Sequence, residues 1–435
     1  MSAPGYRMRP GGELAGELRV PGDKSVSHRA MMLGAIATGE TRVEGFLESE
    51  DCLATLGAMR AMGVAIERPA AGQVRVRGVG LEGLKAPAAP LDMGNAGTAM
   101  RLSMGLLAGQ RFDATLIGDP SLTRRPLERA AAPLRLMGAS IETTGGRPPV
   151  RIRGGARLKG IDYALEVPSA QVKSAILLAG LYADGETVVR ERAITRDHTE
   201  RMLRAFGVPL AAGEGRVALT GRARLEGGAV RVPGDISSAA FLLVAASLGA
   251  RGTVVIRDVG VNPTRTGVID ILRLMGAEIR LVNPRRFGDE PVADLEVEAR
   301  ELTGIEVPRA LVPLAIDEFP VLFVAAAAAR GTTVVSGAEE LRVKESDRIA
   351  TMAEGLATLG VRAEPRPDGL VVEGGALGGG TIDSHGDHRI AMAFAVAALR
   401  ASAPIEIRDV ANVATSFPGF ATLARTAGLR LEEYR

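Results

Sequence analysis

Tryptophan is absent from this 435-residue chain, aromatics make up only 3% of it, and there is a single cysteine, Cys52. The lone cysteine excludes an internal disulfide and any multi-cysteine metal site, and it suits a reducing compartment. With so few aromatics, the 46% hydrophobic content is carried by Ala, Val, Leu, Ile and Met, so the cores must be aliphatic and their helices closely packed. An excess of one charge is missing too. The formal net charge is +2, without the positive field that attracts nucleic acid or an anionic membrane. Stretches such as "VLFVAAAAA" at 321–329 fall far short of the roughly 18 residues of a membrane span, and "MSAPGYRMRPGGELAGEL" at the start has no apolar signal segment. We expect a cytoplasmic protein whose partners include neither nucleic acid nor membrane. Lysine is also scarce, with five among 53 basic residues.

What is present is repetition. The length predicts two or three domains of roughly 100–200 residues. A helix-like stretch, a glycine and a strand-like stretch recur six times, as in "LGAMRAMGVAIE", "PLRLMGASIE" and "ILRLMGAEIR". The glycines are Gly63, Gly138, Gly207, Gly276, Gly360 and Gly428, each where a helix C-terminus needs a left-handed residue. About 40 residues before each lies a polar turn leading into a small-residue helix and, usually, a β-branched strand. Helix-Gly-strand connections arise by chance in α/β proteins, but six at near-constant spacing point to a duplicated architecture. The first helix of each repeat is apolar all round and predicts burial; the second carries arginines and predicts a wet face. Polar turns at the starts of buried helices present free N–H groups and partial positive charge, which attract anions. The near-duplicates "RVPGDK" at 19–24 and "RVPGDI" at 231–236 divide the repeats into three and three, as crossings between two lobes.

The candidate chemistry lies in those turns. In "PGDKSVSHRA", Lys24 precedes a helix expected to start near Ser25, with Ser25 and Arg29 on one face. Asp23 interrupts the Walker pattern, so anion binding is favoured over nucleotide binding, against a plain Ser cap beside a solvated lysine. "GNAGTAMR" offers Gly94 and Gly97 for close backbone approach, with Thr98 and Arg101 one turn apart. "SLTRRPL" sets Arg124 and Arg125 before a proline suited to the first helical position. "PSAQVKSA" sets Ser169 and Lys173 four apart with Gln171 between them; the bland alternative is a capped helix with an exposed lysine. "TRDHTERML" brings Arg196 and His198, or else a capping box from Thr199. "AIDEF" holds Asp317 and Glu318. "LRVKESDRIA" holds Lys344 and Arg348 four apart, where like charges repel unless a phosphate lies between them, or where a solvated helix begins. In "HGDHRIAMAF", a metal reading of His385, Asp387 and His388 lacks a third neutral ligand, and Arg389 as an anion ligand fits better. Lys24, Lys173 and Lys344, three of the five lysines, fall in these turns, as compact, titratable cations suited to donate a proton or to make a point contact with phosphate.

"PGDKSVSHRA", "LDMGNAGTAMRL", "DPSLTRRPL", "PSAQVKSAILLAGL", "TRDHTERML", "IDEFPVLFVAAA", "EELRVKESDRI" and "DHRIAMAF" resemble, in that order and over nearly the whole chain, the 5-enolpyruvylshikimate-3-phosphate synthase family. The resemblance implies an α/β fold, a two-lobed inside-out α/β barrel of six βαβαββ repeats with buried helices. Residues 22–233 would form one lobe and 1–21 plus 234–435 the other. It implies transfer of the enolpyruvyl group of phosphoenolpyruvate to the 5-hydroxyl of shikimate 3-phosphate, in the route to chorismate and aromatic amino acids, by a monomer with no cofactor and no metal. By matched motif, the catalytic residues would be Lys24, Asp317 and Glu345. Lys24 would donate a proton to the leaving phosphate, Asp317 would take the hydroxyl proton, and Glu345 would shuttle the proton at the methylene carbon. Shikimate 3-phosphate would be held by Lys24, Ser25, Arg29, Ser169, Ala170, Gln171, Arg196, Asp317 and Lys344. Phosphoenolpyruvate would be held by Lys24, Gly97, Arg125, Gln171, Arg348 and Arg389.

Two departures from the commoner branch resemble the family's second branch. Ala170 stands where that branch has serine, and Ser416 where it has a lysine. Glyphosate-tolerant members of the second branch carry an alanine where this chain has Gly97, so we expect glyphosate to fit here. A sibling enzyme acts on UDP-N-acetylglucosamine with a cysteine nucleophile in the second repeat, but Cys52 lies in the first and "SLTRRPL" has none. An RNA 3'-phosphate cyclase would want a basic face. A non-catalytic phosphosugar-binding protein is countered by Lys24, Asp317 and Glu345.

Overall fold

All six predicted C-terminal glycines are left-handed, with φ of 87° at Gly63, 101° at Gly138, 85° at Gly207, 98° at Gly276, 80° at Gly360 and 112° at Gly428. Each ends a short outer helix and turns the chain into a strand, a conformation that costs a Cβ-bearing residue about 1–2 kcal/mol. The computed structural model describes residues 4–434. They divide into two units. One, the N domain, comprises Gly22–Val232 with Arg286–Glu290; the other, the C domain, takes the chain up to Pro21, Pro233–Arg285 and the chain from Pro291 on.

The N domain holds helices α1 (Lys24–Ile36), α2 (Glu50–Ala61), α3 (Gly97–Ala108), α4 (Glu128–Leu136), α5 (Ala170–Gly180) and α6 (His198–Ala205). The C domain holds α7 (Ile236–Gly249), α8 (Gly267–Leu274), α9 (Phe319–Ala328), α10 (Arg348–Thr358), α11 (His388–Ala397) and α12 (Phe420–Ala427). Odd-numbered helices are the buried ones. Every residue of α7 from Ile236 to Leu248 is buried, as are nine of the ten in α9. Their alanines allow close contact: a Cβ on Gly105 of α3 would stand 2.1 Å from the carbonyl oxygen of Ala175 in α5. Each fully buried Val, Leu, Ile or Phe contributes roughly 1.5–3 kcal/mol, while alanine loses no side-chain entropy.

Each repeat also owns a small sheet, mixed in all but the fifth, where three strands pair antiparallel. In the second, Leu91–Asp92 runs parallel to Ala114–Ile117, which pairs antiparallel with Arg147–Arg153, itself antiparallel to Ser140–Thr144. Arg147–Arg153 alternates strictly, with Pro148, Val150 and Ile152 inward and three arginines and a proline outward. The third repeat sets Asp162–Ala164, Glu186–Arg190, Arg216–Thr220 and Leu210–Gly213 in the same order. The first borrows its leading strand from the end of the domain, as Ala229–Arg231 lies parallel to Thr38–Glu44. The C domain borrows likewise. Leu14–Arg19 runs parallel to Ala250–Gly260, and Gly5–Gly12 sits between Ile405–Arg408 and Leu429–Tyr434. One aliphatic cluster fills each domain. Arg286–Glu290 is held in the N domain by His198, whose Nδ1 is 2.7 Å from Glu290 Oε1, and by Arg231 stacked 3.8 Å from the Phe287 ring centroid.

Candidate functional site

The starts of the buried helices are not equivalent. Asp23, Ser169, Asp235 and Asp387 cap α1, α5, α7 and α11, each accepting from a backbone N–H of the first turn. Three of those caps are carboxylates, which already offset the local positive potential. The helix α9 starts after Glu318, itself acidic. Only α3 begins without a polar cap, on Ala96, so the expectation of six equal anion sites narrows to one bare helix start among the six. Two guanidiniums accompany it. A Cβ on Gly97 would stand 3.0 Å from Arg101 Nη1 and 3.2 Å from Arg125 Nη1. Arg125 is 7% exposed and is oriented by Asn95, whose side-chain oxygen accepts from Nη2 at 2.5 Å, and by Ser121.

Arg101 donates to Gln171 Oε1 at 2.8 Å, and Gln171 Nε2 donates to Thr98 Oγ1 at 2.9 Å, so the starts of α3 and α5 are joined. Lys24 is the first residue of α1, not part of the turn before it, because Asp23 rather than Ser25 is the cap. Its Nζ lies 2.9 Å from Oδ2 of Asp51, near the start of α2. Arg29 is 3% exposed. It donates from Nε to Thr199 Oγ1 at 2.6 Å, from Nη2 to Ser174 Oγ at 2.7 Å and from Nη1 to the Ser25 carbonyl at 2.9 Å. Burial, against the pull of Glu200, and with Arg196 adding to it, lowers the guanidinium to about 10.

Several local expectations fail here, most of them because the helices start at other residues than the motifs suggest. Pro126 is not the first residue of α4, which begins at Glu128, and Arg124 is exposed while Arg125 is buried. No capping box forms at Thr199, because α6 starts at His198 and Thr199 instead receives Arg29. Lys173 is neither exposed nor waiting for phosphate. It is 1% exposed, between Glu191 and Glu200 at 2.8 and 2.7 Å.

In the C domain the starts of α9, α10 and α11 meet around Arg348. Lys344 and Arg348 do not share a helix, since a 3₁₀ turn, Glu339–Val343, ends at Lys344 and α10 begins at Arg348. They converge through Asp317 instead, with Lys344 Nζ at 3.4 Å and Arg348 Nη1 at 3.5 Å from its Oδ1. Arg348, 1% exposed, also contacts Glu345 at 2.7 Å and Asp387 at 2.8 Å. Burial disfavours its charge, but Asp387, Glu345 and Asp317 together more than offset that and hold it above the ordinary arginine range. Burial likewise opposes the Asp387 charge, and Arg348 keeps that carboxyl below its ordinary value. The metal alternative for Asp387 gives way to this pairing. Arg389 donates to the Asp317 backbone carbonyl at 2.9 Å and lies 3.8 Å from Glu318.

Asp51, Asn95, Arg265 and Ser174 were missed from sequence. Arg265 is buried, donates to Ser237 Oγ at 2.7 Å and approaches Glu318 at 3.6 Å. Only Asn95 carried a signal, inside the glycine turn "GNAGT"; the others act on partners distant in sequence.

Helix starts lined by arginine and lysine, with carboxylates held beside them, define a protein for small anionic substrates with acid–base groups in place. A family model described as EPSP synthase (3-phosphoshikimate 1-carboxyvinyltransferase) matches residues 8–423. The chain belongs to this family. It is 64% identical to the 3-phosphoshikimate 1-carboxyvinyltransferase of Alkalilimnicola ehrlichii over 98% of this chain and 96% of that one. The like-named protein of Methylococcus capsulatus is 62% identical over 97% of each chain. The EPSP synthase structure from Acinetobacter baumannii superposes with a TM-score of 0.88 at 55% identity, covering 99% of this chain and 100% of that one. The enolpyruvyl transferase NikO from Streptomyces tendae shares the fold, with a TM-score of 0.79 at 18% identity over 100% and 99% of the two chains.

Proposed function

We propose that this chain is a transferase that moves the enolpyruvyl group of phosphoenolpyruvate to the 5-hydroxyl of shikimate 3-phosphate and releases phosphate, in the shikimate pathway to aromatic amino acids. The observation that carries this is full-length likeness, above 60% identity, to proteins named for that reaction.

The residue roles are part of the proposal. Shikimate 3-phosphate is bound by Lys24, Ser25, Arg29, Ser169, Ala170, Gln171, Arg196, Asp317 and Lys344. Phosphoenolpyruvate is bound by Lys24, Gly97, Arg125, Gln171, Arg348 and Arg389. The bare start of α3 between Arg101 and Arg125 supports an anion there. Asp317 is the base toward the attacking hydroxyl. Addition to an enol ether requires a proton on carbon, and Glu345 supplies it; its hold on Arg348 fixes the carboxyl in place. Lys24 protonates the departing phosphate. The lobes expected at 22–233 and at 1–21 plus 234–435, with Arg286–Glu290 packed into the first, are those of a cytoplasmic monomer. Near-neutral charge supports small molecules as its partners, with no nucleic acid and no membrane.

The test is phosphate release from phosphoenolpyruvate by purified protein. Release should require shikimate 3-phosphate and be lost in Glu345→Ala. Release driven by UDP-N-acetylglucosamine instead would overturn the reading in favour of the sibling activity. Binding of both substrates without turnover would favour a phosphosugar-binding protein.

A further inference from the structure

Lys173 presents three ammonium hydrogens to three acceptors. Its Nζ is 2.7 Å from Glu200 Oε1 and 2.8 Å from Glu191 Oε2, and it donates to the Thr195 carbonyl at 3.4 Å. The lysine and both carboxylates are at most 7% exposed in their side chains. Glu191 in turn receives the Thr195 hydroxyl. The three acceptors bracket one loop, residues 191–197 between the strand Glu186–Arg190 and α6, and Arg196 sits in that loop. The same lysine lies in the first turn of α5, two residues after the Ser169–Gln171 turn.

The network continues to a second arginine. Glu200 lies in the first turn of α6 beside Thr199, and Thr199 Oγ1 accepts from Arg29 Nε at 2.6 Å while bonding Ser174 Oγ at 2.7 Å. Anchoring Glu200 therefore fixes Thr199, and Thr199 with Ser174 fixes the plane of the Arg29 guanidinium. One buried ammonium thus ties the α5 start, the Arg196 loop and the α6 start together.

We propose that Lys173 is a positioning residue for shikimate 3-phosphate: it touches no substrate, but sets the separation of Arg196 from Arg29 and from the Ser169–Gln171 turn. The inference rests on the functional reading above. Neutralising a buried lysine between two carboxylates releases the loop, because two anions cannot stay buried without it. A shift of the order of 1 Å in a charged ligand is felt as a large loss of binding.

The experiment is steady-state kinetics with each substrate varied in turn, alongside thermal melting, on Lys173→Met and Glu191→Gln. Lys173→Met should raise KM for shikimate 3-phosphate about tenfold while KM for phosphoenolpyruvate changes less than about twofold. Glu191→Gln, which keeps the size and an acceptor, should raise the same KM about threefold with melting close to wild type. If Lys173→Met does not fold, Glu191→Gln decides. Equal rises in both KM values, or an unchanged KM for shikimate 3-phosphate in folded Glu191→Gln, overturn the inference. Wild-type protein that neither binds shikimate 3-phosphate nor turns it over overturns the functional reading and this one with it. Wild-type turnover with unselective variants overturns this one alone.

Discussion

Arg348 places its Nε 2.8 Å from Oδ2 of Asp387, with 1% of one side chain and none of the other exposed. The same carboxylate caps α11 by accepting from the Arg389 N–H at 2.9 Å. Asp387 thus holds two arginines proposed for phosphoenolpyruvate, one through its side chain and one through its backbone. Asp387→Asn, which leaves a buried guanidinium short of its main counter-charge, should destabilise the C domain by about 3 kcal/mol. Glu345→Gln keeps an acceptor in a partly exposed position and should cost less than about 1 kcal/mol, yet abolish turnover. Urea unfolding and phosphate release measured on both variants check the contrast.

Acid should destabilise the protein in a defined window. In Asp387, Glu290 and Asp294, burial alone would raise the carboxyl, but it is outweighed. Arg348 outweighs it at Asp387, His198 at Glu290, and the Asp258 N–H with Arg285 at Asp294. Their folded values lie below the ordinary 3.8 of Asp and 4.5 of Glu. As pH falls the unfolded chain takes protons first, so stability is complete above about pH 5 and falls through pH 4 and below. Urea midpoints from pH 7 to 3 should drop most steeply at the acid end; a flat profile would contradict the pairing.

Gly97→Ala should weaken phosphoenolpyruvate selectively. The new methyl meets Arg101 Nη1 at 3.0 Å and Arg125 Nη1 at 3.2 Å, so both guanidiniums must give way by a few tenths of an ångström. KM for phosphoenolpyruvate should rise about tenfold, equivalent to about 1.4 kcal/mol. Glyphosate should inhibit the wild type in competition with phosphoenolpyruvate and Gly97→Ala less; non-competitive inhibition of the wild type refutes the shared site.

Cys52 should be chemically silent. It is fully buried on α2, and burial pushes its thiol well above the ordinary range. Iodoacetamide should leave activity unchanged and label only unfolded protein, and Cys52→Ala should retain kcat. Loss of kcat would revive the cysteine-dependent sibling mechanism.

Two glycines in open surroundings should respond to alanine with opposite signs. Gly57 lies on the exposed face of α2 with nothing within 4 Å of a new Cβ, so Gly57→Ala should stabilise by about 0.5–1 kcal/mol. Gly207 is equally open but has φ of 85°, so Gly207→Ala should cost about 1–2 kcal/mol. Urea unfolding of the pair separates backbone strain from space.

The recurring helix-glycine-strand pattern was legible because it is local: helix period, apolar face and left-handed stop are all written within about ten residues. The strands that the first, fourth and sixth sheets borrow from distant parts of the chain were not. Ala229–Arg231, Leu14–Arg19 and Gly5–Gly12 carry no mark of their distant partners, since strand pairing depends on chain return. Candidate site residues were legible as residue types in turns, but their status was not. Lys173 and Lys24 look alike in sequence; one is saturated by Glu191 and Glu200, while the other is partly exposed beside Asp51.

Composition and periodicity by themselves determined that this chain builds aliphatic α/β repeats with cations at the starts of buried helices, because burial and helix stops follow from short-range pattern. Tertiary structure alone decided which of those cations are neutralised and which helix start stays uncapped. That outcome depends on carboxylates brought from elsewhere in the chain, such as Asp387 to Arg348 and Glu191 to Lys173, and ion pairing acts over ångströms of space rather than residues of sequence.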